Sequence, residues 1–261
     1  RRGGLQLAEV IIYNRKLTER ESMDTQAYLN WKWFGTLSAG YSAPGSDLTL
    51  PSVATSAAGG ELRVDGAVPV TLASVSGTGA LTLGSSVPVT LASTDTLTGG
   101  LNLTNSFINF PASQTVASFK VSGHAEVSVA DGEALDVGTL SGSGTLVCVG
   151  DGMIALDDVS GFGGDLTLAG GTLSFTAGNT LAVDTLTVTG SGSLRLADAA
   201  GLSAGVYALI SFTNMDATSA DTLLADWSLT DVPPKFKSSL QIRNNQVVAV
   251  LSSLGTSLQI R

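Results

Sequence analysis

The stretch "AVPVTLASVSGTGALTL" at 67–83 returns as "SVPVTLASTDTLTGGLNL" at 86–103. Val68 to Ser74 come back at Val87 to Ser93, nineteen residues on; Leu81 comes back at Leu101, twenty on, and Leu146 to Leu166 is twenty again. A glycine turn followed by Leu-x-Leu runs through the same region: "GTGALTL" (77–83), "TGGLNL" (98–103), "GSGTLVC" (142–148), "GGDLTL" (163–168) and "GSGSLRL" (190–196). A unit of this size cannot bury its own apolar face. Repeated at a fixed period, it buries that face only against its neighbours in a stack. Alternation along Leu-x-Leu sends both leucines to the same side of a strand. The chain is therefore expected to be all-β: a parallel β-helix, or solenoid, with glycines at the corners.

Stacked coils would set Leu81, Leu101, Val127, Leu146, Leu166 and Leu194 in one interior column. Seven to nine coils, each adding about 4.8 Å, make a rod of roughly 35–45 Å. The longer step from Leu166 to Leu194 calls for an inserted turn, with "GGTLSF" (170–175) supplying a further strand.

The flanks differ from the repeats. Residues 5–13, "LQLAEVIIY", form an apolar β-rich run. Thr18 and Glu21 then make a capping-box pair, and Met23, Ala27, Trp31 and Phe34 fall at helical spacing, so an amphipathic helix is expected at about 18–32. At the other end, "SLQIR-NN-QVVAV" reads as a hairpin turning at Asn244–Asn245, after the repeat-breaking Pro233–Pro234. The division is 1–34, 35–205 as solenoid repeats, and 206–261 as capping strands. "SLQIR" occurs at 239–243 and again at 257–261, so a further strand is expected beside the hairpin.

Composition narrows the function. Net charge is −9, charged residues make up 13%, and Lys120 is the only Lys or Arg between Arg63 and Arg195. A phosphate backbone is gripped mainly by Lys and Arg, so nucleic acid is not an expected partner. No apolar run reaches the ~20 residues of a membrane-spanning helix, so no membrane insertion is expected. Cys148 is the single cysteine, which excludes an intrachain disulfide and a thiolate metal cluster; "TLVCVG" reads as a core strand. The sequence opens on "RRGG" without Met, as a piece of a longer precursor would, with any export signal upstream.

Chemistry-bearing residues are few. A Ser-His-acid triad would need His124, in "SGHAEVSV", and no Gly-x-Ser-x-Gly elbow accompanies it. His124 reads as a turn residue entering a strand. Asp131, Glu133 and Asp136, with Asp151, Asp157 and Asp158, cluster in "ADGEALD" and "GDGMIALDD". They read first as solvated turn acids. Weak Ca²⁺ ligation and a catalytic carboxylate pair are the alternatives. Trp31 and Trp33 read as packing the helix, and Trp227 as a core anchor of the cap; no aromatic stripe runs along the coils. No catalytic residue, metal or cofactor is expected.

Two resemblances go with these residues. "AEVIIYNRKLTERE" with "AYLNWKW" resembles the C-terminal tail of a laminin-G/concanavalin-like jelly roll, over about thirty residues. That family's glycan and calcium ligands lie upstream of what it matches, so none is carried over. Residues 60–200, above all "LSGSGTLVCVGDGMIALDDVSGFGGDLTLAGGTLSFT", resemble the autotransporter-associated β-strand repeat of bacterial surface passengers. "AGVYALISF", "LLADWSL" and "SLQIRNNQVVAVL" resemble the end of such passengers. This resemblance implies a right-handed β-helix displayed outside the cell; with the helix and hairpin read from the residues, the expected fold is a right-handed parallel β-helix with one N-terminal α-helix and a C-terminal β-hairpin cap. The resemblance also accounts for the scarcity of cysteine, since a disulfide hinders threading of an unfolded passenger through a membrane. No membrane barrel follows the repeats in this sequence.

The reading is an extracellular or cell-surface structural or adhesin-like β-solenoid, not an enzyme, that assembles end to end into filaments. A carbohydrate-active β-helix enzyme and a glycan-binding module for surface glycans are its rivals. Open solenoid ends are sites of strand addition, and the self-association residues expected are Val10, Ile11 and Ile12 at one end and Leu258 and Ile260 at the other.

Overall fold

In a computed structural model, the chain is described at Lys16, Thr18, Ser22 and Thr25 and over 36–38, 48–50, 52–64, 69–94, 96–197 and 201–254. Among these residues the fold is a β-solenoid of about seven turns, built from parallel strands. One sheet has ten strands, running from Thr36–Ser38 through Gly60–Val64, Leu81–Ser85 and Leu101–Leu103 to Trp227–Thr230. An eleven-stranded sheet begins at Leu48–Leu50 and Val70–Leu72 and ends in Gln246–Ser253 and Phe236–Arg243. A short third sheet holds Val53–Thr55, Val75–Gly77 and Thr96–Leu97.

The period predicted from sequence is the register observed. Leu81 stands opposite Leu101 in the first sheet. In the second, Val70, Val89, Ile108, Val127, Cys148, Leu168 and Val188 succeed one another coil by coil. Alternation gives many of the strands one buried row, as in Leu81–Ser85 and Ser106–Phe110, whereas Thr172–Thr176 buries Leu173, Ser174 and Phe175 in succession. These rows meet in a single apolar core, with Leu72, Leu91, Leu103, Leu140, Leu166 and Phe175 all fully enclosed.

The single leucine column requires correction. Leu81 and Leu101 do share a column, but it continues into Phe119 of the first sheet. Leu146 and Leu166 pair in the second sheet, preceded by Ala125 and followed by Leu186. Val127 stands two residues along the same pair of strands, on Cys148. Leu194 lies in the first sheet between Leu173 and Leu229. The reason is that each coil turns several corners, and the glycine-plus-Leu-x-Leu wording serves more than one of them. The strand expected at 170–175 is present as Thr172–Thr176.

The glycines recur because coils touch at the corners. A Cβ on Gly123 would overlap the Thr104 carbonyl oxygen, and one on Gly164 would overlap the Gly144 carbonyl oxygen. No side chain fits there.

The C-terminal hairpin forms where expected. Gln246–Ser253 runs antiparallel to Phe236–Arg243, and Asn244 and Asn245 both adopt positive φ, 49° and 57°. That is the requirement of a two-residue turn with left-handed central residues. Gly205–Asn214 joins the two parts: it is parallel to Leu181–Val188 on one side and antiparallel to Gln246–Ser253 on the other. Parallel stacking therefore continues past residue 205, through 210–214 and Trp227–Thr230.

A helix, Ala217–Asp226, interrupts the capping strands, where only strands were expected. Asp216 caps it by accepting the Ser219 N–H at 2.6 Å. Ser219 Oγ in turn accepts the Val188 N–H at 3.1 Å, and Leu223 is fully buried. Trp227 follows, 5% exposed, and its Nε1–H donates to the Gly190 carbonyl oxygen at 2.6 Å. It anchors the cap as its sequence setting predicts. Of the helix expected at 18–32, Ser22 and Thr25 are helical and the Ser22 N–H donates to the Thr18 carbonyl oxygen at 3.0 Å. Glu21, Trp31, Trp33 and the strand expected at 5–13 lie outside the described residues.

Candidate functional surfaces

Two acidic side chains, Glu133 and Asp165, clip one coil to the next. Glu133 accepts the Ser113 N–H at 2.7 Å and its hydroxyl at 2.6 Å, while Ser113 Oγ accepts the Ala134 N–H at 3.0 Å. The Ser113 hydroxyl, and then its N–H, hold the Glu133 carboxyl below the usual range. Asp165 takes the Thr185 N–H at 3.1 Å, and the Asn105 amide oxygen does the same for the His124 N–H at 3.2 Å. Each bond spans about one coil. Asp158 instead closes a local turn, accepting the Ser160 N–H and hydroxyl, which lower its pKa in that order. Among the described residues no three His, Cys, Asp or Glu side chains gather as a cation site would need. Asp131, Asp136, Asp151 and Asp157 are exposed.

His124 opens the strand His124–Val129, exposed, with its ring tilted against Phe107 at 6.1 Å. Cys148 is buried in the core, and desolvation pushes its thiol up to about 12. It is an inert core thiol at neutral pH.

Two shallow surface depressions stand out. One, of about 380 Å³, is lined by Asp151, Thr172, Ser193 and Asp226 around Gly171 and Gly192. The other, of about 440 Å³, is lined by Ala57, Ala58, Glu61, Thr82 and Asn102. Both are polar and open. The ion pair of Arg195 with Asp231 lies on the outer surface, with Arg195 Nη1 also 3.4 Å from the Met153 sulfur.

Among the described residues the large exposed apolar side chains, Val206, Leu224 and Leu254, all belong to the cap. So does an open strand edge. Phe236–Arg243 is the last strand of its sheet, and its far edge pairs with no described strand. Leu240 and Ile242 pack against the core. On the opposite side Gln241 Nε2 donates to Ser239 Oγ at 3.2 Å, and Arg243 Nε donates to Gln241 Oε1 at 2.9 Å. Lys235 Nζ sits 5.0 Å from the centre of the Phe236 ring. The sequence signal for this edge was the duplicated "SLQIR"; which copy stands at the edge depends on the cap topology. Val10, Ile11, Ile12, Leu258 and Ile260, the expected self-association residues, lie outside the described residues.

No helix among the described residues is long and apolar enough to cross a membrane. No family model matches the chain, and neither a curated protein nor a solved structure matches it.

Proposed function

We propose that this chain is an extracellular, non-enzymatic β-solenoid, a structural or adhesin-like rod displayed at a cell surface and able to associate through its ends. The observation that carries this reading is the continuous stacking. Strand follows strand in register from Leu48–Leu50 to Trp227–Thr230, around one apolar core, and the turn acid Glu133 and the strand acid Asp165 are engaged in holding coil to coil. A fold spent this way serves length and stiffness. Each added coil extends the rod by about 4.8 Å without altering the rest. Low charge and many short Ser, Thr and Gly side chains leave a bland lateral surface suited to exposure. The resemblance to passenger repeats agrees with display outside the cell. Surface glycans are the partner class such a rod would meet; nucleic acid is disfavoured by the charge balance.

The test is localisation. Antibody raised against the purified chain, applied to intact and to permeabilised source cells, is expected to label intact cells or their medium. Labelling confined to permeabilised cells overturns the reading.

A further inference from the structure

We infer that residues 257–261 of a second copy of this chain add as an antiparallel strand to the open edge of Phe236–Arg243. This rests on the self-association part of the reading above and names both surfaces of the contact. Three observations lead to it.

The first is the edge itself. Gln246–Ser253 satisfies one side of Phe236–Arg243. On the other side the backbone N–H and C=O groups of alternate residues face outward with no described strand to meet them. Such an edge is a template for one more strand.

The second is sequence. Residues 257–261 repeat, letter for letter, the segment "SLQIR" that forms 239–243 of the edge strand. The repeat therefore has the same alternation, with Leu258 and Ile260 in the places of Leu240 and Ile242. An antiparallel register placing Ser257 opposite Arg243 sets Leu258 opposite Ile242, Gln259 opposite Gln241, Ile260 opposite Leu240 and Arg261 opposite Ser239. Both apolar side chains then extend the face on which Leu240 and Ile242 meet the core. Gln259 extends the polar row of Ser239, Gln241 and Arg243. Neither arginine stands directly opposite another cation.

The third is reach, which favours a second copy over the same molecule. The Leu254 N–H donates to the Lys235 carbonyl oxygen at 3.1 Å, so the chain at 254 lies beside the start of the edge strand, on the side away from the open edge. Only Gly255 and Thr256 separate it from Ser257. To reach the open edge they would have to pass the entering chain at Lys235 and cover two strand spacings, about 9.6 Å. A two-residue turn joins adjacent strands only. The resulting pair would also run parallel to the edge strand, an arrangement that takes a connection of a dozen or more residues. A second copy meets neither obstacle.

The experiment mixes full-length chains carrying Gln241→Cys with full-length chains carrying Gln259→Cys under mild oxidation; Cys148 is buried and stays silent. A disulfide-linked pair joining one chain of each kind is expected, with far less product when Lys237→Cys replaces Gln241→Cys. Sedimentation of a chain lacking 255–261 is expected to show loss of the association seen for the intact chain. A monomeric intact chain with no Gln241–Gln259 cross-link overturns the inference, as does association that survives the deletion. Surface labelling of cells does not depend on this contact, so display outside the cell is judged separately.

Discussion

Thr94 Oγ1 donates a hydrogen bond to Gln114 Oε1 at 2.9 Å across one coil, and Gln114 Nε2 donates in turn to the Leu91 carbonyl oxygen at 2.7 Å. Both side chains are buried. They sit where the third sheet, ending at Thr96–Leu97, gives way to the long strand Gln114–Val121 of the first. The glutamine amide bridges the two coils at the place where the pattern of strands changes.

Gln114→Ala should therefore destabilise the protein by about 1–3 kcal/mol, because it strands the Leu91 carbonyl out of water and leaves the Thr94 hydroxyl only its longer bond, 3.4 Å to the Thr115 carbonyl oxygen. Thr94→Val together with Gln114→Ala should cost less than the sum of the single changes. Equilibrium denaturation of the four proteins measures this coupling, and strict additivity would contradict it.

The corner glycines give a sharper contrast between neighbours. A Cβ on Gly164 meets the Gly144 carbonyl oxygen, whereas one on Gly163 finds nothing within 4 Å. Gly164→Ala should cost about 1–3 kcal/mol or more through forced displacement of the coil beneath. Gly163→Ala should leave the unfolding midpoint close to that of the parent. Equal effects at the two positions would mean that the stacking contact is wrongly placed.

In the core, Leu146 pairs with Leu166 and is almost wholly enclosed. Leu146→Ala should cost about 2–5 kcal/mol, and Leu146→Asp several kcal/mol through an unpaired buried carboxylate. Thermal melts suffice, and a melting temperature that does not move would rule out an interior place for Leu146.

Cys148 supplies a pH dependence. Burial pushes its thiol from the ordinary value of 9.0 to about 12 in the folded chain. The folded state thus keeps a proton that the unfolded state loses, so this stability is whole below pH 9 and is lost as pH rises toward 12. At pH 10 the loss is about 1 kcal/mol. The difference between parent and Cys148→Val should change by that amount between pH 7 and 10. A difference that stays constant would show the thiol to be hydrated.

What the sequence made legible was whatever repeats locally. The period of "VPVTLAS" became the coil, and the Asn244–Asn245 turn became the hairpin. Leu194 was misplaced because glycine corners look alike in sequence, while the sheet a corner feeds is set by how many corners precede it. The helix Ala217–Asp226 carries little sequence signal, because its only buried apolar side chain is Leu223, too little for an apolar stripe. Its one signal was Asp216 as N-cap, three residues before Ser219. The one sequence signal for the edge at Phe236–Arg243 is the duplicated "SLQIR"; which copy stands at the edge is set by a missing neighbour, which no local pattern encodes.

The central claim is the stack itself, and one outward row measures it. Thr71, Thr90, Asn109, Ser128 and Val149 stand opposite one another in successive coils. Four steps of about 4.8 Å place the backbones of Thr71 and Val149 about 19 Å apart, although 78 residues separate them in sequence. Pulsed dipolar spectroscopy on a chain spin-labelled at Thr71→Cys and Val149→Cys reads this distance directly, with Cys148 replaced by Val. A single narrow distribution consistent with that backbone spacing, after allowance for the label arms, is the predicted result. A broad distribution, or one centred well beyond that spacing, would contradict the solenoid.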